Sequence, residues 1–326
     1  MLSWLSARWK RVLMLTLFIC LTTASLLIGS LKGVTLSALL AGDPVAWSVL
    51  WHSRIPRTMA IILSAAGLSS AGLIMQAISR NKFMSPSTGG TTDAAAFGLL
   101  ISYIFLNQQP GIVQMLFAFV FALVATMLFT SVIQRLKLRE VVYIPLIGMM
   151  YGGLISAITT TVAYRFEVMQ MMTSLNMGSF ARLGDFSVVY LVIPPLILAV
   201  AYASKFSIIG MGEDFAKNLG LRYRRVVFVG LMIIAFISAA TFVAVGPLPF
   251  IGLIIPNMAT SFYGDNLRKS IVDLMLLGAC FVLACDVVSR LVIYPFEMSI
   301  SLCISVVGGI IFMVYLIRGM RHGKTA

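Results

Sequence analysis

The chain has 326 residues, 60% of them hydrophobic and 11% charged, and a mean hydropathy of +1.00. A soluble domain carries about 25% charged residues, and even a well-packed one of this length leaves roughly a quarter of its chain surface in water, so a water-soluble fold is excluded and lipid is the solvent that fits. The net charge of +13 does not mark a nucleic-acid binder, because the basic residues come in short bursts between apolar runs rather than on one face.

Arg8, Lys10 and Arg11 precede an apolar run at 12–31. It is too long for the hydrophobic part of a cleavable signal and reads as a first span that stays. Further runs of crossing length lie at 58–79, 112–134, 142–163, 187–205, 226–246, 271–291 and 300–318. Two shorter runs, 93–106 and 248–263, are ambiguous. The second holds Pro249 and Pro256 just after Pro247, which predicts a short or broken helix there. Counting all of them gives ten spans and places both ends on one side.

The basic residues test that count. With the N-terminus inside, 18 of the 24 Lys and Arg residues fall in inside segments. Six fall outside: Lys32, Arg54, Arg57, Arg165, Arg182 and Arg290. This bias obeys the positive-inside rule, so both termini are expected in the cytoplasm. No soluble domain of any size remains. Residues 1–326 read as a single transmembrane domain whose largest inside loop is 206–225.

Cys20, Cys280, Cys285 and Cys303 all lie within apolar runs without metal-ligand spacing and read as small hydrophobes. With only His52 and His322, a histidine-based metal or catalytic site is not expected. Gly319-Met-Arg-His-Gly323-Lys324-Thr325 mimics a phosphate loop, but three residues separate the glycines where four are needed, and no strand precedes it. Any ATP hydrolysis must therefore sit on another chain.

Several charges lie at membrane depth. Asp286 and Arg290 are four apart on one helical face and read as an ion pair. Asp93 and Asp273 are expected near inner ends, reaching water. No series of buried carboxylates of the kind a proton relay needs is present. Arg54-Ile-Pro-Arg57 sits just before the second long run. It suits either interfacial anchoring or docking of an acidic partner, since guanidinium forks match carboxylates. Ala66-Gly67 to Ala71-Gly72 and Gly148 to Gly152 read as helix-packing faces. In the inside loop, Glu213 and Asp214 are placed to cap a short helix ending at Gly220, which forms either an ordinary connection or a surface for another protein.

Taken in order, these segments resemble the FecCD family of binding-protein-dependent ABC permeases, which import iron–siderophore complexes, haem and vitamin B12. Arg54-Ile-Pro-Arg57 resembles the family's Arg-x-Pro-Arg. Gly67 to Gln76, then Arg80-Asn81-Lys-Phe-Met-Ser-Pro86, resembles its glycine-rich second helix and following motif. Ala216-Lys-Asn-Leu219-Gly220 resembles its Ala-x-x-Leu-Gly coupling segment. Gly246-Pro247-Leu-Pro-Phe250-Ile-Gly252-Leu-Ile-Ile-Pro256 resembles its Gly-Pro-Ile-x-Phe-x-Gly-Leu-x-x-Pro signature, and Gly264-Asp265-Asn-Leu-Arg268, Asp286 and Arg290 follow in order. Three departures stand out: Pro256-Asn257-Met-Ala-Thr260, Glu297-Met-Ser-Ile-Ser301 and Gly308-Gly309-Ile310. They point away from the vitamin B12 branch and toward permeases for catecholate siderophores.

The resemblance implies an all-α integral membrane protein of about ten helices with the type II ABC importer permease fold, in a bacterial inner membrane. It implies a second homologous permease as partner, in a heterodimer, with two cytoplasmic ATPase subunits and a periplasmic or lipid-anchored siderophore-binding protein. Arg54, Arg57 and Arg290 would dock that binding protein. Gly212, Glu213, Ala216, Leu219 and Gly220 would couple to the ATPase. The chain itself would bind no cofactor and would not be an enzyme. The competing classes are a stand-alone ion-coupled carrier or channel, a haem or vitamin B12 permease of the same family, and a membrane-embedded enzyme.

Overall fold

The computed structural model describes residues 7–29, 38, 41–106, 111–135, 143–180, 187–263, 267–293 and 296–322, and these form helices and connections with no strand among them. Arg182, the Gly264–Asn266 part of one motif and Gly323–Thr325 of the phosphate-loop mimic lie outside the described residues. In chain order the helices are α1 (Ala7–Leu27), α2 (Pro44–Val49), a π-helical turn (Leu50–Arg54), α3 (Ile55–Ser79), α4 (Thr91–Leu106), α5 (Gly111–Arg135), α6 (Tyr143–Arg165) and α7 (Met169–Asn176). They continue with α8 (Ser187–Tyr190), α9 (Ile193–Ala201), α10 (Ala203–Gly210), α11 (Glu213–Asn218), α12 (Tyr223–Val245), α13 (Ile251–Tyr263), α14 (Leu267–Leu291) and α15 (Ile300–His322).

Five helical stretches are long and apolar enough to cross a membrane, ending in α3, α5, α6, α12 and α14. A sixth span is built from α8–α9 and α10, bent by 61°. Four shorter apolar helices, in α1, α4, α13 and α15, bring the apolar helical segments to ten. Below, "outer" and "inner" follow the charge distribution.

The bundle is organised around α3 and α12. The apolar windows of these two helices are 83% and 72% buried inside the chain, against 22% for α6. Sequence explains the difference. α3 carries Ala65, Ala66, Gly67, Ser69, Ser70, Ala71 and Gly72 as one run of small residues, all buried. In lipid there is no hydrophobic drive between helices, so close backbone approach is what holds them. α3 thereby packs against α12, α13 and α14 at once. α6 fully buries only Pro145, Gly148, Gly152, Thr159 and Ala163, a single stripe at spacings of three, four and seven, and leaves most of its remaining surface outward.

The two ambiguous runs are short helices behind irregular segments. α4 has 16 residues and α13 has 13, so at 1.5 Å per residue neither reaches the roughly 30 Å of a hydrocarbon core. Each follows a long buried helix and a non-helical stretch, 80–90 after α3 and 246–250 after α12. The two halves of the chain therefore repeat the same order of parts. Backbone at membrane depth must be satisfied by protein, and here it is. Gln76 Nε2 and Asn257 Nδ2 both donate to the Lys82 carbonyl, at 2.9 and 2.8 Å. The Asn81 side chain accepts from the Phe83 amide, and Thr88 Oγ1 accepts from the Ser85 amide. Asn257 stands where the resembled motif has histidine, and it clamps α13 to the irregular segment after α3.

The halves meet at Gly72 and Gly252. A Cβ on Gly72 would lie 2.0 Å from the Gly252 carbonyl oxygen, a backbone atom that cannot rotate away. Gly72→Val should therefore cost about 3 kcal/mol, the upper end for overpacking a buried contact, read as a lowered melting temperature of the detergent-solubilised chain. An unchanged melting temperature would contradict this contact.

Candidate functional sites at the two membrane faces

At the outer end the three predicted arginines come together, and they turn inward. The helix α1 ends at Leu27, leaving its last carbonyls without intrahelical partners. Arg54 Nη1 donates to the carbonyls of Leu26 and Leu27, both at 2.7 Å. Arg290 Nη1 donates to the carbonyls of Ser25 and Ile28, at 3.0 and 2.6 Å. Cations at a helix C-terminus also meet the negative end of its dipole. Two arginines from distant parts of the chain thus close α1 onto α3 and α14.

The charge is balanced by two carboxylates. Asp286, fully buried, pairs with Arg290 and with Arg57, whose Nη2 is 2.8 Å from Asp286 Oδ1. Arg57 Nη1 reaches Glu297 Oε2 at 2.7 Å. Ser25 Oγ joins the set, within 3.1 Å of Thr58 Oγ1 and 3.3 Å of Arg290 Nη2. Arg57 and Arg290 therefore share the two carboxylates, while Arg54 is held by the α1 carbonyls. The side chains of Arg57 and Glu297 keep 13% and 17% exposure, while Arg290 keeps 4%. Arg57 and Glu297 are the parts of this cluster that a partner can reach.

Glu297 leads to further contacts. Ser299 Oγ donates to the Gly178 carbonyl at 2.8 Å, and Ser301 Oγ donates to the Pro247 carbonyl. The α14–α15 connection thus joins the arginine cluster to the segment after α7 and to the end of α12.

At the inner end, α11 is a single short helix. Gly212 at φ +118° occupies its N-cap, with no side-chain cap; Glu213 and Asp214 lie in the first turn rather than capping. They favour the positive end of the helix instead. The C-terminus closes through Gly220 at φ +76°, with the Leu221 amide donating to Ala216 O at 3.0 Å and the Gly220 amide to Lys217 O at 2.9 Å. That reciprocal pair needs a left-handed residue, which glycine supplies. Ala216 is fully buried and seats the helix on the bundle. Met211, Phe215 and Leu219, four apart, are exposed on the opposite side. A hydrogen bond from Lys217 to Glu213, at 2.8 Å, holds the Glu213 carboxyl below its ordinary range. The inner end thus presents an apolar face with an ion pair beside it.

Sequence reasoning missed two features. Glu297 registered only as a departure from a motif, and its partner Arg57 is 240 positions away, beyond any local pattern. The carboxylates expected to reach water do otherwise. Asp273 pairs with Arg11 at 3.2 Å, tying α14 to α1. Asp93 lies against Gly152 on α6 and lines a cavity of about 250 Å³. Among the described residues no group of three or more His, Cys, Asp or Glu could hold a metal ion.

The chain is thus a polytopic helical bundle with a buried ionic clamp at one end and a short amphipathic helix at the other. The chain belongs to the FecCD transport family, whose model matches residues 12–318. It is 45% identical over 273 residues to the petrobactin import system permease protein YclN of Bacillus subtilis, covering 83% of this chain and 86% of that one. It is 36% identical over 310 residues to the ferric-anguibactin transport system permease protein FatD of Vibrio anguillarum, covering 94% and 98%. Its fold matches a solved metal-chelate type ABC transporter in an inward-facing conformation, with a TM-score of 0.78 at 24% identity over 94% of this chain and 97% of that one.

The clamp sets an order of stabilities. Asp286→Ala removes the fully buried carboxylate paired with Arg290 and one of the two paired with Arg57, and should cost about 3 to 5 kcal/mol. Glu297→Ala removes a partly exposed partner and should cost about 1 kcal/mol or less. Melting temperatures of the two variants check the order; equal losses would contradict it.

Proposed function

We propose that this chain is the membrane-spanning permease subunit of an ATP-driven ABC importer that carries a ferric siderophore, of the catecholate type, inward across the bacterial inner membrane. The observation that carries this reading is membership of the FecCD transport family over nearly the whole chain, with relatives named as permeases for petrobactin and ferric anguibactin. Iron is cargo here, not a resident cofactor.

The partners follow from the two ends. The outward sector of α6 carries Gly153, Ser156, Thr160 and Thr161, small or polar groups that suit a partner helix or a watered path better than lipid, and it supports a second homologous permease, with the pathway between the two chains; a heterodimer is the arrangement we favour. Two cytoplasmic ATPase subunits would receive α11. Its exposed Phe215 and Leu219 suit an apolar groove, and its burial at Ala216 makes it a rigid lever on α10 and α12. A siderophore-binding protein, periplasmic or lipid-anchored, would dock at the outer end. Of Arg54, Arg57 and Arg290, Arg57 offers the direct contact, because an acidic group of that protein can compete with Glu297 for it. Arg54 and Arg290 would support docking by holding α1 and α14 in place.

Two variants test this. Leu219→Asp should leave the melting temperature unchanged yet abolish co-purification of the ATPase and cellular uptake of the ferric siderophore; retained uptake would contradict the coupling role. Glu297→Gln removes the competitor for Arg57 and should tighten binding-protein association about threefold, the scale of a partly exposed ion pair. Unchanged affinity would remove Arg57 from docking.

A further inference from the structure

Asp93 occupies a place the transport reading does not use. It opens α4 just after Thr91, whose Oγ1 is hydrogen-bonded to Thr126 Oγ1 of α5 at 2.8 Å, so the start of the helix is fixed. Its carboxylate faces the middle of α6, where a Cβ at Gly152 would come within 2.7 Å of Oδ2. The cavity it lines, about 250 Å³, runs between α4, α6 and α7 to Asn176 and Pro247 near the outer end. Asp93 is the one charged side chain among its described lining residues, and no ion pair among the described residues includes it.

Three hydroxyls of the lining act as acceptors toward the cavity, and Thr92, Ser156 and Asn176 add further polar groups. The hydroxyls of Thr159, Thr160 and Thr173 donate to the carbonyls of Ile155, Ser156 and Met169, at 2.8, 2.9 and 2.9 Å. Their hydrogens are committed, so each oxygen offers the cavity only lone pairs. A carboxylate with three such acceptor oxygens along the same cavity, at membrane depth, attracts a cation with several N–H donors and repels anions. The volume lies below the usual 300 Å³ floor of a small-molecule site, so it fits a side arm rather than a whole chelate. The catecholate–iron centre, being anionic, is not what fits. Ser156 and Thr160 stand on the exposed sector of α6, so the cavity opens onto the face we assign to the pathway.

We propose that the Asp93 cavity is a recognition site for a protonated amine carried on the backbone of the transported ferric chelate. This rests on the ferric-siderophore reading and adds a selectivity to it: cargo is sorted by a cation that lies apart from the iron. An alkali cation shares part of the same chemistry, and the test separates the two.

The complete transporter, with its ATPase and binding protein, is reconstituted in liposomes and given two synthetic ferric catecholate chelates of equal size. One has a secondary amine in its linker and the other an ether oxygen at the same place. The wild type should carry the amine chelate with a kcat/KM about tenfold higher, the scale of a charge-assisted hydrogen bond. Asp93→Asn should lower it to the ether chelate's value and leave the ether chelate unaffected, while Asp93→Glu keeps the preference. Thr160→Val should reduce the same preference by a smaller factor, which reads the site even if Asp93→Asn fails to assemble. A preference unchanged in Asp93→Asn, or in Thr160→Val where that variant stands in, would overturn the proposal. So would a wild type that does not discriminate, or transport of both chelates that requires sodium over choline and loses that requirement in Asp93→Asn. A wild type that carries neither chelate would overturn the ferric-siderophore reading itself, and this proposal with it.

Discussion

Asp286 is fully buried near the outer end of a membrane helix, and the outer architecture is arranged around that charge. An isolated carboxylate at such a depth is costly, so it is held between Arg57 and Arg290. Arg290 then reaches back to the open C-terminus of α1, and Arg57 reaches forward to Glu297 in the connection before α15. One buried anion thereby joins α1, α3, α14 and α15. Ser299 and Ser301 extend the linkage to Gly178 and Pro247, which flank α7 and α13. A partner's acidic group that displaced Glu297 would therefore be felt along a chain of named hydrogen bonds rather than only at the surface.

A second constraint lies deeper. Two non-helical stretches sit within the bundle, and every exposed amide or carbonyl there needs a protein partner because lipid supplies none. Gln76 and Asn257 meet on one carbonyl, that of Lys82, and the close pass of Gly72 by Gly252 brings the two halves near enough for them to do so. The same break that shortens α4 exposes the start of that helix, with Asp93, to an interior cavity. Fold irregularity and candidate selectivity have a common origin.

Much of this was legible in the residues. Apolar run length led to the ten apolar helical segments, because hydrocarbon thickness acts on composition alone. Gly220 announced the end of α11, since its left-handed turn needs glycine. The ion pair of Asp286 with Arg290 was readable because both sit on one helix, four residues apart. What stayed hidden was whatever depends on long-range closure. Arg54 and Arg57 looked like surface charges, and nothing local reveals that α1's carbonyls, Asp286 and Glu297 would engage them. Asp93 looked like a helix-end residue near water, because the buried course of 80–90 that carries it away from the inner face has no periodic signature. Asn257 appeared as a missing histidine rather than as a clamp.

On the proposed reading the outer end would receive a loaded binding protein and the inner end the force of separate ATPase subunits. The most direct test is influx of an iron-55-labelled ferric catecholate into liposomes holding this chain and its permease partner, with the loaded binding protein outside. Influx should begin only when the ATPase subunits and ATP are added on the side of α11. Sustained influx by the permease chains alone, driven by an ion gradient and indifferent to ATP, would contradict it.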